Sequence, residues 1–162
     1  MRVKDLMSHP LVTCPTRSTL DQAARLMWEF DCGIVPVIND EGRLDGVVTD
    51  RDICMAAYTQ GLPLHAIPVT TAMARQVVAA HAQDSVASAE ALMREYQVRR
   101  LPVLDAEGRP IGLLALNDLA RAAAHGRKGG VEHDFTSTMA AVCEPRRAPA
   151  PAGRSPLSVV AV

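Results

Sequence analysis

The fold follows from the segment Gly46-Val47-Val48-Thr49-Asp50-Arg51-Asp52-Ile53, in which an apolar strand continues into a helix that a threonine can begin. A second segment of the same kind lies 66 positions later and reads Gly112-Leu113-Leu114-Ala115-Leu116-Asn117-Asp118-Leu119. The glycine, the apolar pair, the aspartate and the final aliphatic residue hold the same places in both. Turns and apolar positions on either side keep this spacing without a gap, which indicates an internal duplication.

Each copy predicts the element order β-α-β-β-α, preceded by a short helical turn. In the first copy the turn spans residues 3–7, the strands 11–13, 34–38 and 44–48, and the helices about 20–30 and 50–60. Ser18 or Thr19 can cap the first helix. Pro36 has no N–H group to donate, so we expect an edge or a bulge at that point of its strand. The predicted domains are repeat 1 at residues 1–60, a connector at 61–68 and repeat 2 at 69–125.

Beyond the second repeat the pattern ends. Gly126-Arg127-Lys128-Gly129-Gly130 is typical of a flexible linker, and residues 131–142 can form one more short helix. The proline-rich sequence after it has little apolar patterning. We therefore expect residues 126–162 to form a flexible C-terminal tail that contains that one helix.

Composition excludes several classes of function. The chain has 162 residues, 48% of them hydrophobic and only 3% aromatic, which predicts an aliphatic core in an α/β fold. Seventeen basic and eighteen acidic side chains leave a net charge of -1, so we expect no nucleic-acid partner and no membrane association. The four cysteines form no Cys-x-x-Cys pair and the N-terminus does not look like a secretory leader, which favours a cytoplasmic location.

Thr49 and Asp52 are the strongest candidates for ligand contact. At the start of a helix, the threonine hydroxyl and the free N–H groups of the first turn can bind a phosphate. Asp52 lies one turn further on, where its carboxylate can accept hydrogen bonds from two adjacent ribose hydroxyls. The same Thr-x-x-Asp spacing is also close to a capping box, in which both side chains only satisfy N–H groups of the helix itself.

The two gapless repeats, each with an apolar-Pro-Val strand and a glycine-led strand followed by an aspartate, resemble a tandem pair of CBS domains, often called a Bateman module. The resemblance covers residues 3–124, and repeat 1 carries the family's Thr-x-x-Asp signature in full. It implies two repeats packed about a pseudo-two-fold axis, a homodimer, and a regulatory adenosine-containing ligand such as AMP, ATP, NAD or S-adenosylmethionine. The short stand-alone layout is similar to that of the bacterial hypoxic-response type. The regulated partner protein stays unknown.

The resemblance also implies a set of ligand-binding positions. In repeat 1 we expect Val12, Ile34 and Val35 to form a slot for the base. The full set of candidates is Val12, Thr13, Ile34, Val35, Pro36, Thr49, Arg51, Asp52, Val78, Arg99, Arg100, Leu101, Pro102 and Asp118. Because Ala115 and Asn117 stand where repeat 1 has Thr49 and Arg51, we expect weaker binding at the Asp118 cleft, which keeps its ribose contact.

Two other functions stay open. The duplicated fold can be a structural or partner-binding module without a ligand, or a redox or metal sensor that uses Cys14 and Cys143 with His9 or His133. The spacing of these residues matches no zinc pattern. The sequence has no phosphate-loop lysine, no His-Glu-x-x-His and no nucleophile elbow, so we expect no enzyme and no required cofactor.

Overall fold

The computed structural model describes residues 1–124 and 131–145. Its elements are β1 (Cys14–Pro15), α1 (Leu20–Glu29), β2 (Ile34–Ile38), β3 (Leu44–Thr49), α2 (Asp50–Gln60), β4 (Ala80–His81), α3 (Val86–Tyr96), β5 (Arg100–Leu104), β6 (Pro110–Ala115), α4 (Leu116–Ala124) and α5 (Val131–Cys143). Short 3-10 turns at Val3–Asp5 and Val69–Thr71 precede the two repeats. The α/β class and the β-α-β-β-α order are confirmed. The predicted linker at 126–130 and the sequence from 146 lie outside the described residues.

Each repeat forms a three-stranded sheet, with the orders β1-β2-β3 and β4-β5-β6. The first strand is parallel to the second, and the second is antiparallel to the third. The strand predicted at residues 11–13 is displaced, because pairing with β2 begins only at Cys14, opposite Val37. The two residues of β1 pair only with the last two residues of β2.

Of the two alternatives predicted at Pro36, the edge strand does not occur, because β2 is the middle strand of its sheet. Pro36 lies opposite Val47, whose N–H and carbonyl groups are both hydrogen bonded to Ala74 on the other side of β3. That strand pair therefore needs no hydrogen bond from the proline. The bulge expected in this strand does occur, between Val37 and Ile38.

The two repeats exchange their leading segments. Val3 is fully buried in the aliphatic core of repeat 2, and Ile67 and Val69 are fully buried in the core of repeat 1. Two isolated β-bridges attach the leading segments to the sheets in the same reciprocal way. Ser8 pairs with Leu113 in β6, and Ala74 pairs with Val47 in β3. Because both members of each pair shift by 66 positions, these contacts obey the pseudo-two-fold relation that the resemblance predicted.

One glycine inside β3 and one inside β6 permit this exchange. A Cβ atom on Gly46 would lie 2.8 Å from the carbonyl oxygen of Ala74 and 2.8 Å from the sulfur of Met73. A Cβ atom on Gly112 would lie 2.6 Å from the sulfur of Met7. Only a residue without a side chain lets the crossing segment approach each strand so closely.

Helix α5 packs on α3 and α4 of repeat 2. Val142 is buried in the repeat 2 core, and Phe135 packs against it. The hydroxyl of the fully buried Thr138 accepts a hydrogen bond of 2.7 Å from Nη1 of Arg94. Within the described parts of the chain, no helix is long and apolar enough to cross a membrane.

Candidate ligand-binding cleft

Helix α2 begins with a complete capping box. The Oγ1 atom of Thr49 accepts a hydrogen bond of 3.3 Å from the backbone N–H of Asp52. In return, Oδ2 of Asp52 accepts hydrogen bonds from the backbone N–H of Thr49 at 2.8 Å and from its hydroxyl at 2.7 Å. The capping role considered from the sequence is therefore present in this structure. Thr49 is buried, with 3% of its surface exposed.

The other carboxylate oxygen of Asp52 is open. No hydrogen bond reaches its Oδ1 atom from the residues that the structure describes. Since a carboxylate oxygen has two acceptor positions, Oδ1 alone can accept from two adjacent hydroxyl groups. Capping therefore uses one oxygen of Asp52 and leaves the second for a ligand.

A groove runs beside the strand that leads to Thr49, and both repeats contribute to it. Its lining consists of Ile34, Val47, Gln76, Val77, Val78, Val98, Arg100 and Pro102. The backbone pairing of Ala74 with Val47 lays the segment after Ala74 along β3. Most of the side chains that line the groove are apolar. Among the described residues that line it, Arg100 is the only charged one.

Arg100 adds a positive charge near the start of α2. The position that a Cβ atom on Gly33 would take lies 3.4 Å from Nη2 of Arg100 and 3.4 Å from Oδ2 of Asp50. The guanidinium group from repeat 2 therefore reaches the first turn of the helix that Thr49 caps. Arg51 and Arg99 are exposed. An anionic group held at this helix start would have both the N-terminal dipole and Arg100 beside it.

The predicted base slot in repeat 1 is not formed as expected. Val35 and Leu101 are fully buried in the two hydrophobic cores, so their side chains line no cleft. Val12 and Thr13 are half-buried, but their segment follows Ser8, which pairs with Leu113 and therefore lies beside β6. Val78 and its neighbours, which follow Ala74, line the groove along β3 instead. Pro36 is buried in β2 and does not line the groove.

The aspartate of repeat 2 is more enclosed than that of repeat 1. The backbone N–H of Ala115 donates to Oδ2 of Asp118 at 2.8 Å, and the hydroxyl of Ser8 donates to Oδ1 at 3.1 Å. Arg121 forms an ion pair with the same Oδ1 atom. Only 4% of the Asp118 side chain is exposed. The ribose contact that we expected this repeat to keep is therefore occupied by groups of the chain itself.

The cysteines do not form the predicted pair. Cys14 is buried in the core of repeat 1, whereas Cys143 is exposed at the end of α5, which packs on repeat 2. Burial raises the pKa of the Cys14 thiol to about 11, against the smaller lowering effect of a hydrogen bond with Ser18. All four cysteines are free. Among the described residues, no three His, Cys, Asp or Glu side chains are grouped to hold a metal ion. The side chain of His133 lies outside them.

Sequence reasoning missed Ser8, Gln76, Val98 and Arg121. Nothing in a single sequence shows that the segment leading into one repeat crosses to the sheet of the other. The glycine within the third strand of each repeat was a usable signal, because glycine inside a strand often marks a close backbone approach. It did not show which segment approaches.

The family model for the CBS domain matches the chain twice, at residues 3–58 and 66–125. The chain is 36% identical over 118 residues to the CBS domain-containing protein YhcV of Bacillus subtilis, which covers 73% of the chain and 82% of YhcV. It is 30% identical over 142 residues to Hypoxic response protein 1 of Mycobacterium tuberculosis, which covers 88% of the chain and 94% of that protein.

Solved structures give the same result. Hypoxic Response Protein I with two coordinated zinc ions matches with a TM-score of 0.68 and 31% identity, over 75% of this chain and 98% of that one. CBSX2 in complex with AMP matches with a TM-score of 0.67 and 29% identity, over 76% and 96%. The similarity in each case covers both repeats of the present fold.

Proposed function

The chain belongs to the CBS-domain family as a tandem pair, and from this premise we propose that it is a regulatory module binding an adenosine-containing ligand beside Asp52. One observation carries the proposal. The open Oδ1 atom of Asp52 belongs to the first turn of α2, and Ile34, which lines the apolar groove together with Arg100, lies opposite the capping residue Thr49 in the sheet. The structurally similar CBSX2 was crystallised in complex with AMP, which supports the same ligand class here.

Each part of such a ligand has a matching part of the cleft. The aliphatic side chains of Ile34, Val78 and Pro102 offer the adenine ring an apolar wall to pack against. The two ribose hydroxyls donate to Oδ1 of Asp52. A phosphate at the first turn of α2 gains the helix dipole and the guanidinium group of Arg100.

A thermal-shift panel with AMP, ATP, NAD and S-adenosylmethionine tests this proposal, with guanosine monophosphate as a control for purine binding in general. A ligand that binds only the folded chain stabilises it by about 2.7 kcal/mol at 100 times its dissociation constant. We expect at least one adenosine compound to raise the melting temperature and guanosine monophosphate to leave it unchanged. A flat response to the whole panel contradicts the proposal and favours a ligand-free, partner-binding module.

The proposed role is regulation and not catalysis. The groups at the cleft are the carboxylates of Asp50 and Asp52, one capping hydroxyl and one guanidinium, which can hold and position a nucleotide but include no nucleophile paired with a base. Binding therefore acts by stabilising one arrangement of the two repeats, which both contribute to the groove. Four free cysteines fit a reducing compartment, so the cytoplasm is the proposed location.

We propose that the chain forms a homodimer through α1 and α2. A groove between these helices is lined by Ala24, Met27, Trp28, Asp50 and Ile53, and 88% of the Trp28 surface is exposed. In repeat 2 the corresponding helices α3 and α4 are covered by α5. Among the described elements, none packs on α1 and α2 of repeat 1 in the way that α5 packs on α3 and α4. A second copy can bury it by packing the same two helices against their counterparts.

Sedimentation of the wild-type chain and of Trp28→Glu tests this assembly. We expect a dimer at micromolar concentration for the wild type and a monomer for the variant, since the charge enters the buried face. Tyr96→Glu, on the end of α3, is the matched control and should leave the dimer intact. A monomeric wild type contradicts the proposal without touching the ligand site.

A further inference from the structure

The aspartates of the two repeats occupy equivalent positions but have different numbers of free acceptor sites. Oδ1 of Asp118 accepts from the Ser8 hydroxyl and from Arg121, and these two donors use both of its acceptor positions. Its Oδ2 atom is held by the backbone N–H of Ala115. Among the described residues, the donors to the Asp52 carboxylate all reach its Oδ2 atom. The Asp118 carboxylate is therefore closed to a pair of adjacent hydroxyl groups, and the Asp52 carboxylate is open to them.

Two residues account for this difference. Position 8 corresponds to position 74, and position 121 corresponds to position 55, each by the 66-residue offset of the repeats. Repeat 1 thus meets Ala74 where repeat 2 meets Ser8, and Met55 where repeat 2 has Arg121. Neither alanine nor methionine has a hydrogen-bond donor in its side chain. The backbone pairing that brings residue 8 or 74 to the strand is the same in both halves.

From these contacts we propose that Ser8 and Arg121 close the second cleft, so that each chain binds one adenosine ligand, at Asp52, and none at Asp118. A ribose at Asp118 has to displace a hydroxyl and an ion-paired guanidinium from a carboxylate of which 4% is exposed. The hydrogen bond from Ser8 to Asp118 has a second effect, because it attaches the exchanged N-terminal segment to helix α4. Ala74 has no side-chain donor, so no equivalent hydrogen bond joins it to Asp52 in the open cleft.

This inference rests on the proposed ligand class and adds its stoichiometry and the residues that set it. The test exchanges the residues at these two positions between the clefts. Ser8→Ala with Arg121→Met gives repeat 2 the residues of repeat 1, and Ala74→Ser with Met55→Arg does the reverse. Every replacement already occurs at the equivalent position of the same fold, and thermal unfolding of each double variant checks that it folds.

Calorimetric titration with AMP is the readout. We expect one site per chain in the wild type, two sites in Ser8→Ala/Arg121→Met, and at least about tenfold weaker binding in Ala74→Ser/Met55→Arg, since a charged hydrogen-bonding group is displaced. Two equal sites in the wild type, or one unchanged site in the first variant, overturn the inference and leave the proposed function standing.

The remaining outcomes separate the two claims. No binding by any protein contradicts the proposed function, and the inference is overturned with it. No binding by the wild type but one site in Ser8→Ala/Arg121→Met supports closure of the second cleft and contradicts the assignment of Asp52.

Discussion

Ala74 and Val47 exchange two backbone hydrogen bonds across the repeats, with the N–H of Ala74 donating at 2.8 Å and that of Val47 at 3.0 Å. Through this pair, the segment that leads into repeat 2 lies along the strand that ends at the Thr49 cap. The candidate cleft therefore consists of the helix start of one repeat and the approach segment of the other. A ligand there contacts both halves, which is how its binding can change their relative stability.

A bulky side chain placed in the groove tests whether the second repeat contributes to the ligand site. Val78→Trp places a large ring where the adenine is proposed to lie, and we expect AMP affinity to fall by more than about tenfold, or about 1.4 kcal/mol. Val12→Trp at the equivalent position of repeat 1 is the matched control. It should leave affinity unchanged, because Val12 follows Ser8 beside β6. If a fluorescence or calorimetric titration showed that Val12→Trp weakens AMP binding and Val78→Trp does not, the adenine would lie in the slot first predicted in repeat 1.

The crossing glycines give a prediction about stability. A Cβ atom at Gly46 meets the backbone oxygen of Ala74, whereas the shortest contact at Gly112 is with the flexible end of Met7. We expect Gly46→Ala to destabilise the chain by about 1 to 3 kcal/mol, and Gly112→Ala to cost less, because a methionine side chain can move aside. Urea unfolding of both variants measures the difference. Equal losses would mean that the two crossings are equally rigid.

Thiol labelling tests where the cysteines lie. Cys54 and Cys143 are exposed, and Cys14 is 1% exposed with a pKa raised by burial to about 11. At pH 8 the Cys14 thiol is protonated, so it should stay unmodified in the native protein, and raising the pH to 9 should not release it. Mass spectrometry after brief alkylation should find label on Cys54 and Cys143. Rapid native labelling of Cys14 would contradict its place in the repeat 1 core.

One buried hydroxyl, that of Thr138, links α5 to α3. Thr138→Val keeps the shape of the side chain but removes the acceptor for Arg94, and we expect a loss of about 1 to 3 kcal/mol, the range for a buried group left without its partner. Met139→Ala, at a partly exposed neighbouring position, should change stability by less than about 0.5 kcal/mol. Similar unfolding midpoints for Thr138→Val and the wild type would show that the hydroxyl does not hold the helix.

The sequence was sufficient for the repeats, the order of elements and the Thr49–Asp52 pair, because these depend on local spacing and on capping chemistry. It was insufficient wherever the answer depended on which segment crosses to which sheet. Val12 was predicted to form the base slot of repeat 1, but its segment follows Ser8 beside β6, and Val78 lines the groove along β3 instead. The closed state of Asp118 was missed for the same reason, since Ser8 lies 110 positions from it in the chain. Pro36 predicted an edge or a bulge, and the sequence could not decide between them because a proline alone does not reveal that the neighbouring pair needs no donor.

The most direct test of the central claim is calorimetric titration of AMP into the wild type, Asp52→Ala, Asp52→Asn and Asp118→Ala, with thermal unfolding to confirm that each variant folds. Asparagine at position 52 keeps an acceptor for the helix cap but loses the charge, so we expect about tenfold weaker binding, and alanine should weaken it further. Asp118→Ala should keep the wild-type affinity. Loss of binding in Asp118→Ala, with full binding retained in Asp52→Ala, would show that the ligand lies in the other cleft.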